Sequence, residues 1–437
     1  MSFEIAQDAV KHAQSLGAQQ VKALLHRSNH VELQQRDGRL ERCSEAAGLS
    51  LSISLLVNDR YSSHSSSDLR PRAIQAFIAN AVAATRVLEP DPDRAMLPLD
   101  QMGSIDPELL DLDDPASFTR EPDALRQEVR QLEQAVKDRA PADLVSTTAH
   151  LWEYRGQSWT VFSNGFSAKD SATSFGYGAD MTIREASGKL PEAHSFLSST
   201  HLAELPPTDA VVADLLERSA MTRDTGPTKS GVYPMILDAR AAGRILSALL
   251  APLGGSALHE GRSVFHDSLG VRVGSPAFTL LDDPMIPRAG GSRSHDGDGL
   301  KALRRPVFER GVLRTFYLDV YHARKLGRAP TSARTGNLVM RPGLRNWRSI
   351  AAELPRAIRV TSFLGGNSNP SSGSFSFGIR GQLLEHGEVV GNLSEMNITG
   401  DLAGLISNFV VASDDLWTWS SVRVPSLIFD GVQFSGL

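Results

Sequence analysis

Two histidines and a glutamate lie close together in ALHEGRSVFH, Ala257–His266, and these are the residue types of a hydrolytic zinc centre. Such a centre needs neutral imidazoles within about 2.1 Å of one ion and a carboxylate placed to deprotonate the bound water. His259 and Glu260 are adjacent, but His266 is seven residues beyond His259. On a helix that offset keeps both rings on one face yet separates them by about 10 Å along the axis. On a strand an odd offset sends them to opposite faces. Gly261 also weakens a helical reading. Only a loop could bring the rings together, so spacing disfavours His259, Glu260 and His266 as a metal or catalytic site without forbidding it.

Other chemistry-bearing stretches are weaker. SHDGDG, Ser294–Gly299, has part of a calcium loop's acidic spacing but lacks its distal glutamate, and reads as a tight acidic turn. FGYG around Gly176 lacks the third glycine of a dinucleotide loop. No phosphate-binding Gly-Lys-Ser/Thr loop and no Gly-x-Ser-x-Gly elbow occurs. The sole cysteine, Cys43, excludes an internal disulfide framework and is read as packing. Trp417 and Trp419 alternate, so on a strand they would face one way, toward core or toward a subunit or peptide surface.

These residues need elements to hold them. Ile5, Ala9, Val10, Ala13 and Leu16 recur at helical spacing before Gly17. Leu49, Leu51, Ile53 and Leu55 alternate with polar positions, predicting a half-buried strand that turns at Asn58-Asp59. HVELQQRDGRLERCS predicts two strands meeting at Asp37-Gly38. A helix follows Pro71, another spans roughly 121 to 138, and a third spans 208 to 221. Between them come strands near 144 to 152, a hairpin at Asn164-Gly165 and further alternation to about 186. Residues 89–117, rich in Pro and Asp, read as a long surface or flexible connection. GVYPMILDARAAGRILSALLAP then predicts a buried strand, an Asp238 helix cap and a helix ended by Pro252. From there to the end, short strands with Gly, Asn and Asp turns dominate. The fold class is α+β: two domains of mixed, mostly antiparallel sheets with flanking helices, at 1–227 and 228–437.

Composition bounds the function. A 437-residue chain that is 41% hydrophobic and 22% charged is long enough for two sizeable cores. A formal net charge of −5 argues against a broad nucleic-acid surface. The basic run from 301 to 328 reads as a solvated face or a contact with a partner. There is no apolar run of membrane-spanning length, and MSFEIAQDAV lacks the pattern of a secretion signal. With the cysteine usage, these features predict a cytoplasmic protein.

Several segments, in order along the whole chain, resemble the TldD/PmbA family, also called modulator of DNA gyrase or peptidase family U62. They are RDGRLERCSEAAGLSLSISL, SGVYPMILDARAAGRILSALL, LLDDPMIPRAGGSRSHDGDG, FERGVLRTFYLDVYHARKLG, TGN at Thr335–Asn337, SSGSFSFGIRGQLLEHGEVVGNLSEMNITGDL and VPSLIFDGVQFSG. The resemblance implies one of two branches. The TldD branch carries a His-Glu-x-x-x-His helix and a late cysteine that together hold zinc. The TldE or PmbA branch lacks those ligands and pairs with TldD in a heterodimeric peptidase acting on unfolded or precursor peptides. LGGSALHEGRSVF resembles the TldE pattern, although Val264 separates Ser263 from Phe265 here, and ASDDLWTWSSVRVPSL holds no cysteine.

The resemblance therefore implies a TldE/PmbA-like subunit that binds no cofactor itself, with zinc in a TldD-like partner. Its other partner would be peptide substrate, held extended against a sheet edge. Ser374, Phe375, Ser376 and Phe377 on the Ser371–Leu384 strand are the candidate peptide-lining residues, against a plain core role. The rival readings are a self-sufficient homodimeric metallopeptidase using His259, Glu260 and His266, and a non-proteolytic modulator of gyrase or another target.

Overall fold

The computed structural model describes residues 2–436. Its first part is one six-stranded antiparallel sheet in the order β3-β2-β1-β4-β5-β6. The strands are β1 (Gln20–Arg36), β2 (Arg39–Val57), β3 (Arg60–Ser66), β4 (Leu144–Phe162), β5 (Ser167–Ile183) and β6 (Glu192–Ser199). The four central strands run 17 to 19 residues, about 60 Å of extended chain for the longest. β1 and β2 meet at Asp37-Gly38, both at positive φ (47° and 80°), as the hairpin twist requires.

Alternation decides what covers this sheet. Odd-numbered residues of β1, β4 and β5 face helices. At one end Val21, Ala23, Leu25 and Trp159 pack under α1 (Ser2–Ser15) and α2 (Pro71–Thr85). At the other end, beyond the short α3 (Pro107–Leu110), Leu33, Ala149, Leu151 and Tyr177 pack under α4 (Pro122–Arg139) and α5 (Thr208–Met221). Even-numbered residues form the opposite face, which the long helices leave uncovered and the short α3 borders. Here aromatic rings lie flat on glycines: a Cβ on Gly176 would come within 2.0 Å of the Trp152 ring.

Residues 89–117 are not a free loop. Leu97, Ile105 and Leu110 are buried, and the backbone bonds Gly103 N–Gly299 O (2.9 Å) and Ile105 N–Ser294 O (3.0 Å) strap the segment onto the second half of the chain. The sequence shows only its Asp and Pro content; the spaced apolar residues that anchor it follow no helical or strand period.

The second half opens with β7 (Gly231–Leu237), α6 (Ala242–Leu250) and α7 (Gly255–His259). Asp238 is not the α6 cap. The helix starts behind Ala241, and Asp238 instead accepts the Arg240 amide (3.1 Å) and pairs with Arg359 (2.6 Å). A small sheet in the order β10-β9-β8-β11-β17 follows. It comprises β8 (Leu280–Asp283), β9 (Arg305–Glu309), β10 (Val312–Leu313), β11 (Asn337–Val339) and β17 (Val422–Arg423), with α8 (Val320–Lys325) beside it. The last sheet contains β12 (Arg356–Ser368), β13 (Ser374–Glu385), β14 (Glu388–Asn392), β15 (Met396–Asp401), β16 (Phe409–Ala412) and β18 (Leu427–Ser435). The order β12-β7-β18-β15-β13, with β13 pairing back onto β12, closes five strands into a ring. Closure pairs β12 on both sides at Ile358–Val360 and leaves its continuation to Ser368 paired with β13. The largest core fills the space between this ring, the small sheet and α6, around Phe265, Phe278, Phe308, Phe377, Phe429 and Phe434. The architecture is α+β with mostly antiparallel sheets, as the patterning predicts.

Candidate functional site

His259 is the last residue of the five-residue α7 and is exposed. Gly261, at φ 66°, ends that turn. The His259 ring faces His322, with centroids 6.3 Å apart. Glu260 is exposed, accepts a hydrogen bond from Ser256 Oγ (2.5 Å) and pairs with Arg262. The Ser256 hydroxyl and the Arg262 guanidinium hold its carboxyl below the ordinary range, opposite to the shift a general base needs at neutral pH. His266 lies past the glycine turn, half-exposed, 4.0 Å from Asp267. Among the described residues no group of three His, Cys, Asp or Glu side chains could hold a metal ion. The donor set therefore does not fit zinc, and no hydrolytic step can be built through His259, Glu260 and His266.

The candidate peptide strand divides by face. Phe375 (5% exposed) and Phe377 (1%) stack with centroids 5.5 Å apart inside the main core. Ser374 and Ser376 point outward. The strand has no open edge here: Phe375 and Ser376 pair with Ser368 and Asn367 of β12 on one side, and with Gly400 and Thr399 of β15 on the other. The phenylalanines thus belong to the core, and an added strand cannot pair at these four residues. Ring closure, invisible in local patterning, is the reason.

Trp417 and Trp419 lie on an irregular segment between β16 and β17 rather than on a strand, and both pack as half-buried residues against the first half's core.

Of the groups that come together across the two halves, the SHDGDG turn was singled out from sequence, whereas Lys22, His26, Tyr154, Asp170 and Arg293 were not. The even face of the large sheet and the turn at 292–297 enclose a cleft of about 340 Å³. Lys22, His26, Tyr154 and Asp170 line it from the sheet, and Arg293 and His295 from the turn. Lys22 Nζ donates to the Gly297 carbonyl (2.5 Å). Ser294 Oγ donates to Asp170 and lies 2.7 Å from His295 Nδ1. His295 Nδ1 is 3.5 Å from the other Asp170 oxygen.

Burial sets the charge states in this cleft. It holds His295 below its ordinary value against the opposing pull of Asp170 and Asp296. It lowers Lys22 and raises Asp298 in the same way. Ser294, His295 and Asp170 are the residue types of an acyl-transfer triad, but Ser294 is 1% exposed and spends its proton on the carboxylate. That arrangement clamps the turn to the sheet and presents no nucleophile. SHDGDG is indeed a tight turn: Asp296 accepts the amides of Asp298 (2.9 Å) and Leu300 (3.0 Å). Its docking partners lie more than a hundred residues away, so spacing could not reveal the site.

The basic run also acts across the halves. Arg324 donates to the Asp93 carbonyl (3.0 Å), and Lys325 reaches Asp91 (3.1 Å) and Asp93 (2.9 Å). The acidic connection of the same chain thus partners Arg324 and Lys325, while Arg304, Arg305 and Arg314 of the run pair with Asp283, Asp282 and Glu309.

Comparison with known proteins places these features. Residues 230–436 match the family model described as PmbA/TldA metallopeptidase C-terminal domain. A crystal structure from Bacteroides thetaiotaomicron, of a protein named as a modulator of DNA gyrase, is 33% identical with a TM-score of 0.95, covering 99% of this chain and 98% of that one. TldE from Thermococcus kodakarensis shares the fold at 18% identity and a TM-score of 0.84, covering 99% of this chain and 100% of that one. Metalloprotease PmbA of Escherichia coli O157:H7 is 23% identical over 99% of this chain and 96% of its own length. With the fold, the segment order and the 33% relative in agreement, the chain belongs to the PmbA/TldD family.

Proposed function

We propose that this chain is a TldE/PmbA-like subunit that completes a TldD-type zinc peptidase without carrying its own zinc. The observation that supports it most is the donor set: the one His-Glu-His stretch of the sequence has its glutamate engaged by Ser256 and Arg262, and no third ligand accompanies it among the described residues. In this reading the partner supplies metal, water and base in the cytoplasm. This chain, with domains at 1–227 and 228–437, supplies walls that confine an extended peptide and exclude folded proteins. Main-chain pairing suits that task because it tolerates many side chains.

The name carried by the 33% relative supports a second reading, a modulator that binds gyrase without proteolysis. A homodimeric metallopeptidase is the third. Co-purification with a TldD-like protein, metal analysis of each chain, and peptide cleavage by the pair and by each chain alone separate them. The subunit reading expects zinc with the partner and cleavage only by the pair. Stoichiometric zinc on this chain alone, lost in His259→Ala, would establish the homodimer instead. A pair that cleaves nothing beyond what the partner cleaves alone would remove the subunit reading.

A further inference from the structure

A second cavity, of about 430 Å³, opens where β6 and α5 of the first half meet α6, β12 and the Trp417–Ser420 segment of the second. Its charged lining is unbalanced: Arg218, Arg240 and Arg244 face one carboxylate, Asp214, a net of two positive charges from three minus one. Asp214 is already engaged. It pairs with Arg240 and Arg218 and accepts a hydrogen bond from Ser195 (2.5 Å). Arg244 makes no ion pair among the described residues. Its guanidinium donates to a neutral acceptor, the Gly366 carbonyl (2.5 Å), and lies 4.8 Å from the Phe377 ring centroid. The His194 imidazole, also in the lining, is held below its ordinary value by burial first and then by Arg218 and Arg380, which outweigh Asp180 and Asp214. The pocket is therefore an electropositive one with an exposed, uncompensated guanidinium.

Aromatic surface surrounds that charge. Trp417 lies under Arg240 (4.2 Å), with Trp419, Phe363 and the 41% exposed Phe196 beside it. One wall also carries an open strand edge. β7 pairs with β12 only at Ile358–Val360, whereas β13 pairs with β12 as far as Ser368. Beyond Val360, β12 therefore has strand pairing on its β13 side alone among the described residues, and the Gly366 carbonyl takes the Arg244 guanidinium. Thr361, Ser362 and Phe363 on this stretch line the cavity. Two bulges interrupt the β13 ladder here, at Val360/Ser362 and Phe363/Gly365, and bulges re-aim backbone groups where a ladder ends.

We propose that this cavity and the open edge of β12 bind an acidic stretch of an extended peptide, its backbone adding alongside Ser362–Gly365 and its carboxylates meeting Arg244 and Arg240. An edge recognises main chain, and a surplus of guanidiniums beside it selects carboxylates by charge complementarity. Aromatic walls accommodate the neighbouring side chains. This rests on the peptide-handling reading and adds to it a location and a substrate class.

The test is fluorescence anisotropy of the full chain with a short labelled peptide rich in Glu, its Gln counterpart, and the Glu peptide N-methylated at alternate residues. The Glu peptide should bind at least about tenfold more tightly than the Gln peptide, an advantage that shrinks with added salt. N-methylation should abolish binding. Arg244→Gln should weaken the Glu peptide alone, and Arg244→Glu should weaken it further; Arg244 is solvent-exposed, and thermal melts check that both variants fold. Equal binding of Glu and Gln peptides, indifference to both Arg244 variants, no binding of any peptide, or equal displacement by inorganic phosphate at matched ionic strength would each overturn the proposal. If the peptidase pair cleaves neutral and acidic peptides alike, the subunit reading stands and this inference falls.

Discussion

Asp282 is fully buried, and its carboxylate accepts from Arg305 Nη2 (3.0 Å), Arg305 Nε (3.2 Å) and the Gly336 amide (2.6 Å). Arg305 lies over the Tyr317 ring at 4.5 Å, and burial pushes the Tyr317 phenol upward, so the carboxylate is the counter-charge of a largely dry cluster. Breaking such a pair from one side leaves a buried charge uncompensated. Asp282→Ala should therefore cost about 3 kcal/mol in urea unfolding, whereas Asp283→Ala, at the next position of the same strand, should cost less because its Arg304 partner is half-exposed. Equal losses would show that the cluster is not what holds this region. The same scale explains which site residues were legible. Residue type and spacing disfavour His259, Glu260 and His266 as a metal set, and the structure adds that Glu260 is engaged by Ser256 and Arg262. Type and spacing could not tell Phe375 and Phe377 as core from the same residues as cleft lining, because alternation identifies a face without saying what covers it.

Elements differ in how completely they are paired. β13 is bonded along both sides, to β12 and then to β15 and β14. β2 from Arg39 to Ser50 is bonded only to β1, since β3 begins opposite Leu51, and nearly all of that stretch is exposed on both faces. Hydrogen exchange should therefore protect the β13 amides by orders of magnitude more than those of Arg39–Ser50; comparable protection in the isolated chain would mean that a second molecule already covers the β2 edge. Turn chemistry was readable here: Asp37-Gly38, Asn58-Asp59 and Asn164-Gly165 all join adjacent strands. Strand length was not. β2 is one continuous strand whose outer half loses its apolar alternation because it packs on nothing, and β12 disperses its signal because bulges and an open edge interrupt it.

The two halves are joined by polar contacts on the 288–299 turn and on α8. Thr200 bonds the Arg288 carbonyl (2.8 Å), Arg288 pairs with Asp111 (2.5 Å) and Glu204 (2.8 Å), and Lys22, Asp170 and His295 form the clamp described above. His295 has a folded-state pKa below its unfolded value, so its neutral form is the one the fold accommodates. The unfolded chain binds the extra proton first as acid is added. The contribution of His295 is thus complete above about pH 6.5 and is lost as pH falls from there toward the folded-state pKa. Between about pH 7 and pH 5 the melting temperature should fall less steeply in His295→Gln than in the natural chain. Identical slopes would place the acid sensitivity elsewhere.

The sequence alone determined the local chemistry: helix faces, hairpin turns, the α+β class, and, through the order of its segments, the family. Each of these depends on residues within a few positions of one another or on their order along the chain. Tertiary structure decided which faces became core, that the acidic connection meets Arg324 and Lys325, and that Lys22, Asp170 and His295 share one cleft while Arg218, Arg244 and Trp417 share another. Those outcomes join residues far apart in the chain, and the ring closure and docking that produce them follow from burying surfaces no local period describes.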